Sequence, residues 1–90
     1  MNIIMASQVT DNQAHHRFEM EVEGHIVFCN CRLDGNEIFL THVETPVPLR
    51  GKGAAGDLMK GIMELTKQEN LKVVPICSYA VAWLKRNQPK

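Results

Sequence analysis

Two prolines and three glycines between residues 46 and 56 divide this chain into a half that alternates and a half that winds. Before the divide, Phe18, Met20 and Val22 alternate with Glu19, Glu21 and Glu23. A period of two belongs to a strand with one face in water and the other against a core. Gly24 permits a tight turn. Residues 25–33 are apolar at both parities, which predicts a strand buried on both faces. Asp34-Gly35-Asn36 is hairpin chemistry. A third strand is expected over Glu37–Glu44, carrying Ile38, Phe39, Leu40 and Val43. Pro46 and Pro48 then end the pairing, because neither has an N–H to donate.

After the divide the period becomes helical. Ala55, Leu58, Met59, Ile62, Met63 and Leu65 or Thr66 recur at three- and four-residue steps. They form one apolar stripe opposite Asp57, Lys60, Glu64, Lys67 and Gln68. Asn70 suits a left-handed helix end. Residues 71–76 are a short apolar strand with Pro75 at its edge or end. Ser78 is the expected N-cap of a last helix over residues 79–87, with Tyr79, Ala80, Trp83 and Leu84 inward and Pro89 stopping it. The order is βββ–α–β–α, an α/β (α+β) fold. A strand–helix–strand unit crosses right-handed, which lays the fourth strand parallel to the third. Two helices then pack on a compact mixed sheet. Residues 1–16 show no sustained period and read as a polar tail, leaving residues 17–90 as the domain.

Ninety residues hold one core, and a hydrophobic fraction of 44% is enough for it to fold alone. No apolar run approaches the roughly 20 residues that span a bilayer, and no basic residue precedes Arg17 to start a secretory signal. Three cysteines are too few, and odd in number, for a disulfide framework; a reducing cytoplasm is the simpler setting. The zero net charge hides an asymmetry. Residues 1–49 hold two basic and seven acidic side chains, whereas residues 50–90 hold eight basic and three acidic. A neutral whole excludes nucleic-acid binding by bulk attraction. The cationic half suits a small polyanion, or else the two halves pair across the fold.

Gly51, Gly53 and Gly56 satisfy G-x-G-x-x-G, a weak pattern by itself. Its setting is more telling. The loop runs from a strand into a long helix, whose first N–H groups have no intrahelical partner. Those donors and the helix dipole make an anion site, to which Arg50 and Lys52 add charge. A dinucleotide fold is excluded, because three strands and two prolines precede the loop and Lys72 stands where an acid should lie. A Walker A loop is excluded because no Gly-Lys-Ser/Thr closes the motif. The competing reading is a glycine-rich turn needed only for packing.

Arg50-Gly51-Lys52-Gly53-Ala54-Ala55 resembles the R/Q-x-x-G-x-G/A loop of the GCN5-related N-acetyltransferases. Thr41-His42-Val43-Glu44, Pro46, Leu71-Lys72-Val73-Val74-Pro75, Cys77 and Tyr79 extend the likeness to the small single-domain (YjdJ-like, plant minimal acetyltransferase-like) branch over about four fifths of the chain. The resemblance implies acetyl-CoA as cofactor. Its pyrophosphate would rest on the backbone amides of Arg50, Gly51, Lys52, Gly53, Ala54 and Ala55, and its pantetheine between the third and fourth strands where they splay. The N-terminal helices that build the acceptor pocket of larger members have no counterpart here.

Acetyl transfer requires an amine to lose a proton, a carbonyl oxygen to be stabilised and a thiolate to leave. Cys77 lies between a strand end and a helix start, where the dipole favours thiolate. The resemblance also places a cysteine there that acts in the transfer; the alternative is a small buried hydrophobe. His42 and Glu44 share one face of the third strand. His42 is the candidate for taking the amine proton and Glu44 for orienting it, against a packed sheet histidine and a solvated acid. The Val43 N–H is the candidate donor to the thioester oxygen. Tyr79 either protonates the departing sulfur or is core with its hydroxyl at the rim. Cys29-x-Cys31 with His25 and His42 is a weak zinc pattern, and packed sheet residues are the plainer reading, so no metal is expected. Lys85, Arg86 and Lys90 either meet the 3′-phosphate of coenzyme A or form an exposed basic helix end. The function expected is an acetyl-CoA-dependent N-acetyltransferase acting on a small amine or a protein lysine, with no nucleic-acid or membrane partner. The alternative is a non-catalytic CoA-binding or protein-interaction module.

Overall fold

The computed structural model describes residues 8–87. Five strands form one sheet in chain order: β1 (Thr10–Asn12), β2 (Arg17–Val22), β3 (His25–Asp34), β4 (Glu37–Glu44) and β5 (Lys72–Pro75). β1 to β4 run antiparallel to their neighbours. β5 returns parallel to β4 after a crossover through α1 (Ala54–Gln68), and α2 (Ser78–Asn87) ends the described chain. The mixed sheet with two helices is the architecture expected from the change of period. Asn70 takes the left-handed conformation, φ 57°, at the end of α1.

Register sorts the strand residues into two faces. Phe18 stands opposite Cys29, Met20 opposite Val27 and Cys31 opposite Leu40. Phe18, Met20, Val27, Cys29, Ile38 and Leu40 therefore share a face, and all six are buried. Leu58, Met59 and Ile62 of α1 close over them together with Ala80 and Trp83 of α2. The two helices lie side by side there: a Cβ on Gly56 of α1 would sit 3.6 Å from Nε1 of Trp83. Each large side chain buried in this layer contributes about 1.5–3 kcal/mol before its entropy cost.

The other face carries none of the buried core among the described residues. Phe28 and Phe39 are half-shielded there by guanidinium groups, with Arg17 4.4 Å above one ring and Arg32 4.5 Å above the other. This corrects the expectation for residues 25–33. Val27 and Cys29 are buried on the core face, whereas Ile26, on the second face, is 38% exposed; Leu33, opposite Ile38 on the core face, is 60% exposed because it lies near the end of β3. Both helices go to one side, and so short a chain supplies no third layer.

The polar-tail reading also fails for residues 9–16. Val9 is buried, β1 pairs with β2, and a single 3-10 turn spans Gln13–His15. The Asn12 side chain accepts from the His15 N–H at 3.2 Å and donates to Glu19 at 3.0 Å. The Cys31 N–H reaches the His16 carbonyl at 2.9 Å. Three residues are too few for a strand to display its period, so side-chain caps rather than patterning hold this segment. The remainder of that segment lies outside the described residues.

Candidate active site

β5 leaves β4 abruptly. Their pairing runs from Glu37 opposite Lys72 to Leu40 opposite Pro75. The Leu40 carbonyl then accepts from both Ile76 (2.9 Å) and Cys77 (3.0 Å), and the chain turns away into α2. Residues 41–44 of β4 are left without a strand neighbour on that side among the described residues. On its other side β4 carries a bulge. Register steps from Asn30–His42 to Cys31–Leu40, so Thr41 is the extra residue, and its hydroxyl donates to the Asn30 carbonyl at 3.3 Å. A bulge bends and twists its strand. The two features together open a fork between β4 and β5.

Beside the fork lies the glycine loop. A 3-10 turn over Val47–Leu49, anchored by buried Leu49, feeds into it. The N–H of Arg50 is taken by the Val47 carbonyl (3.1 Å) and that of Lys52 by the Leu49 carbonyl (3.2 Å). These two amides are therefore not available, contrary to the expectation that residues 50–55 donate all of theirs. The N–H groups of Gly51, Gly53, Ala54 and Ala55 have no acceptor among the described residues. Gly51 and Gly53 both have φ 81°, a conformation that side chains disfavour, and it is this that turns the free donors outward at the start of α1. They line a cavity of about 240 Å³ with Thr45, Leu49, Arg50, Gly56 and Tyr79. Four unpartnered donors at a helix N-terminus suit a diphosphate.

Cys77 occupies the cap of α2, because its carbonyl accepts the first helical bond from Val81 at 2.9 Å. Ser78 is the first helical residue, so the cap lies one position earlier than the sequence suggested. Burial pushes the Cys77 thiol up, but the backbone N–H groups of Ala80, Val43 and Tyr79 outweigh it and hold the thiol below its ordinary range. The other two thiols go the opposite way. Burial, with the neighbouring thiols Cys31 and Cys77, pushes Cys29 up to about 12. Burial and the Asp11 charge push Cys31 up to about 11.

The candidate catalytic residues are divided between the two faces of β4. Tyr79 is packed against the core on the helix side, with its hydroxyl 3.9 Å from the Cβ position of Gly56. Cys77 packs on the same core. His42 and Glu44 stand on the uncovered face, Nε2 and Oε1 being 2.9 Å apart, and Arg50 reaches Glu44 at 3.6 Å. Arg50 Nε also donates to the Thr45 carbonyl at 3.0 Å. Val43 lies at the strand edge between the two sets, its side chain packed inward and its N–H facing the Cys77 sulfur.

Among the described residues no three His, Cys, Asp or Glu side chains converge as a metal would need. Lys85 and Arg86 lie exposed in the last turn of α2, while Pro89 and Lys90 fall outside the described residues. Thr45 and Leu49 escaped the sequence reading, and Thr41 entered it only through the family resemblance, since nothing in their types marks a bulge or a cavity wall. Gly56 was signalled by the third position of the glycine motif. A larger cavity, about 640 Å³, lies far from this chemistry, at the end of the sheet where β4 begins, with Cys31, Ile38 and Leu71 in its wall.

The model of the family described as GCN5-related N-acetyl-transferase matches residues 17–90. The chain belongs to that family. Membership makes this GCN5-related protein an N-acetyltransferase, a catalyst of acyl transfer in a family that generally uses acetyl-CoA. Its fold is similar to the solution structure of a GCN5-like protein from Staphylococcus aureus, at 23% identity and a TM-score of 0.61, covering 92% of this chain and 82% of that one. No curated protein matches it in sequence. No helix among the described residues is long and apolar enough to cross a membrane.

Proposed function

We propose that this chain transfers an acetyl group from acetyl-CoA to an amine, with Cys77 as its covalent carrier. The observation that most supports this reading is the group of four free amides, Gly51, Gly53, Ala54 and Ala55, opening into a cavity beside the fork of β4 and β5. Those donors would hold the diphosphate, with Arg50 and Lys52 adding charge at the rim. Bound acetyl-CoA would supply a thioester acyl group, whose passage to an amine breaks one C–S bond, forms one C–N bond and releases one proton.

The chain's own residues divide the remaining work by face. Cys77, held toward thiolate on the helix side, is the nucleophile that would carry the acyl group. The Val43 N–H at the strand edge would stabilise the oxyanion. The Tyr79 hydroxyl, in the wall of the loop cavity, would donate a proton to the departing sulfur. On the uncovered face His42 would take the amine proton, its ring oriented by Glu44 at 2.9 Å.

Two measurements test this. Coenzyme A at 100 times its Kd should stabilise the fold by about 2.7 kcal/mol. Intact mass after mixing with acetyl-CoA should show one acetyl increment, lost in Cys77→Ala. Stabilisation without acetylation of Cys77 or of any amine would leave only a CoA-binding module.

A further inference from the structure

We propose that the 640 Å³ cavity at the far end of the sheet is a second binding site, one that takes a small organic cation with an apolar body, an alkylammonium ion. The proposal stands apart from the glycine-loop reading and uses none of its residues.

The cavity marks a place where the core is left open. Leu33 stands opposite Ile38 on the helix-side face, yet it is 60% exposed. Cys31, Ile38 and Leu71, all packed on the core, complete an apolar floor with it. α1 ends at Gln68 and leaves this floor uncovered. Backbone bonds fix the walls. On one side the His16 carbonyl accepts from the Cys31 N–H at 2.9 Å and holds the 3-10 turn against β3. On the other, the Leu71 N–H donates to the Thr66 carbonyl at 2.8 Å, and the Lys72 N–H donates to the Asn36 carbonyl at 2.7 Å. A preformed concavity of this size, apolar inside with a few polar groups at its edge, is what buries a small molecule.

The rim sets the sign of the ligand. Asp11 rises from β1 and Glu69 follows the end of α1, and both line the cavity. Neither has an ion pair among the described residues. Asp11 accepts a long bond from the Gln13 amide at 3.5 Å. Burial first, and the Asp11 charge second, push the Cys31 thiol up to about 11, so that carboxylate faces the floor and the thiol itself is neutral. Nearby cations are turned to the other side of the sheet. The Arg32 guanidinium lies 4.5 Å over the Phe39 ring on the uncovered face. Lys72 alternates with Leu71 and Val73, which pack on the core. His16, the remaining basic residue of the lining, is exposed to water. Two unpaired carboxylates over an apolar floor favour an ammonium head on a hydrocarbon body and disfavour an anion of the same length.

The occupant is not the reacting amine. Ile38 lies five residues along β4 from Val43, roughly 17 Å away. Leu40 and Cys29, both fully buried, close the core between the cavity and Cys77.

Amide chemical shifts of the full chain, without coenzyme A, test the site directly. Three probes share a chain length and differ in charge: hexylammonium, hexanol and hexanoate. Read at the cavity residues, hexylammonium should bind most tightly and hexanoate least, with the hexylammonium shifts gathered at residues 11–16, 31–33 and 69–71. Asp11→Asn and Glu69→Gln should each narrow the gap between hexylammonium and hexanol by about threefold. Leu33→Ser should weaken both of these probes alike, while the thermal shift with coenzyme A stays as in the wild type. A preference for hexanoate, hexylammonium shifts gathered elsewhere, or a gap that neither carboxylate variant moves would overturn the proposal. So would the absence of shifts with every probe at millimolar concentration. A dimer of this chain that Leu33→Ser breaks would also overturn it, because a second copy would then cover the floor.

Discussion

The Cys77 N–H donates to the Leu40 carbonyl at 3.0 Å, and this bond, shared with Ile76, is the last that ties β5 to β4. The same residue caps α2, so the fork in the sheet and the start of the helix meet at one sulfur. The Val43 N–H faces that sulfur from the strand edge, and those of Ala80 and Tyr79 face it from the helix. Backbone geometry, rather than a basic side chain, makes this thiol acidic.

Alkylation should expose the difference. Iodoacetamide reacts with thiolate, so Cys77 should label first, at neutral pH, with a rate profile shifted below that of an ordinary thiol. Cys31 and Cys29, pushed up to about 11 and about 12 and partly or wholly buried, should label only as the fold opens. Peptide mass spectrometry across a pH series reads all three sites at once. Equal labelling of the three in the folded protein would contradict the account of Cys77.

Gly53 and Gly56, three residues apart, should respond oppositely to alanine. Gly53 has φ 81° at the cap of α1, with open space around its Cβ position, so alanine there meets backbone strain alone. Gly53→Ala should cost about 1–2 kcal/mol and turn the free amides, reducing the thermal shift given by coenzyme A. Gly56 is helical, and its Cβ would make ordinary contact with Trp83 at 3.6 Å. Gly56→Ala should therefore stabilise the fold by about 0.5–1 kcal/mol. Urea midpoints of the two variants decide it.

Much of this architecture was legible because periodicity reports on one interface at a time. The stripe of Leu58, Met59 and Ile62 and the alternation of Phe18 and Met20 each name a buried face, and each is buried. Periodicity does not say how many layers cover a sheet, which is why residues 25–33 read as doubly buried when Ile26 is exposed. The loop was legible through Gly51 and Gly53, whose positive φ requires glycine. That Arg50 and Lys52 spend their amides on the preceding turn was not, because carbonyl direction leaves no trace in residue type. The bulge at Thr41 was hidden for the same reason.

The helices cover the middle of β3 and not its end, which sets a clear contrast between two residues on the same face of the strand. Val27 is fully buried among core residues, so Val27→Ala should cost about 2–3 kcal/mol through lost contacts and a residual cavity. Leu33 is 60% exposed, and Leu33→Ser should change stability by no more than about 0.5 kcal/mol. Chemical denaturation of both variants measures it. Comparable losses would mean that the end of β3 is covered as fully as its middle.

Glu19 holds the edge of the sheet by accepting from Arg17 beside it and from Asn12 on β1 at 3.0 Å. The Arg17 hydrogen bond lowers its carboxyl most, burial opposes, and the Asn12 bond and the Arg17 and His15 charges lower it further, for a net depression. A carboxylate depressed in the folded state adds stability that is complete above its unfolded value, about 4.3. That stability is lost as pH falls through the lower folded value. Glu19→Gln should accordingly cost about 0.5–1 kcal/mol at pH 7, and the gap between variant and wild type should narrow as both are acidified through that lowered value. Because Asn12 and Glu19 join β1 to β2, the same variant should speed amide exchange at Thr10–Asn12 at pH 7 without touching the strands under α1. A gap that persists at acid pH would assign the loss to shape rather than charge.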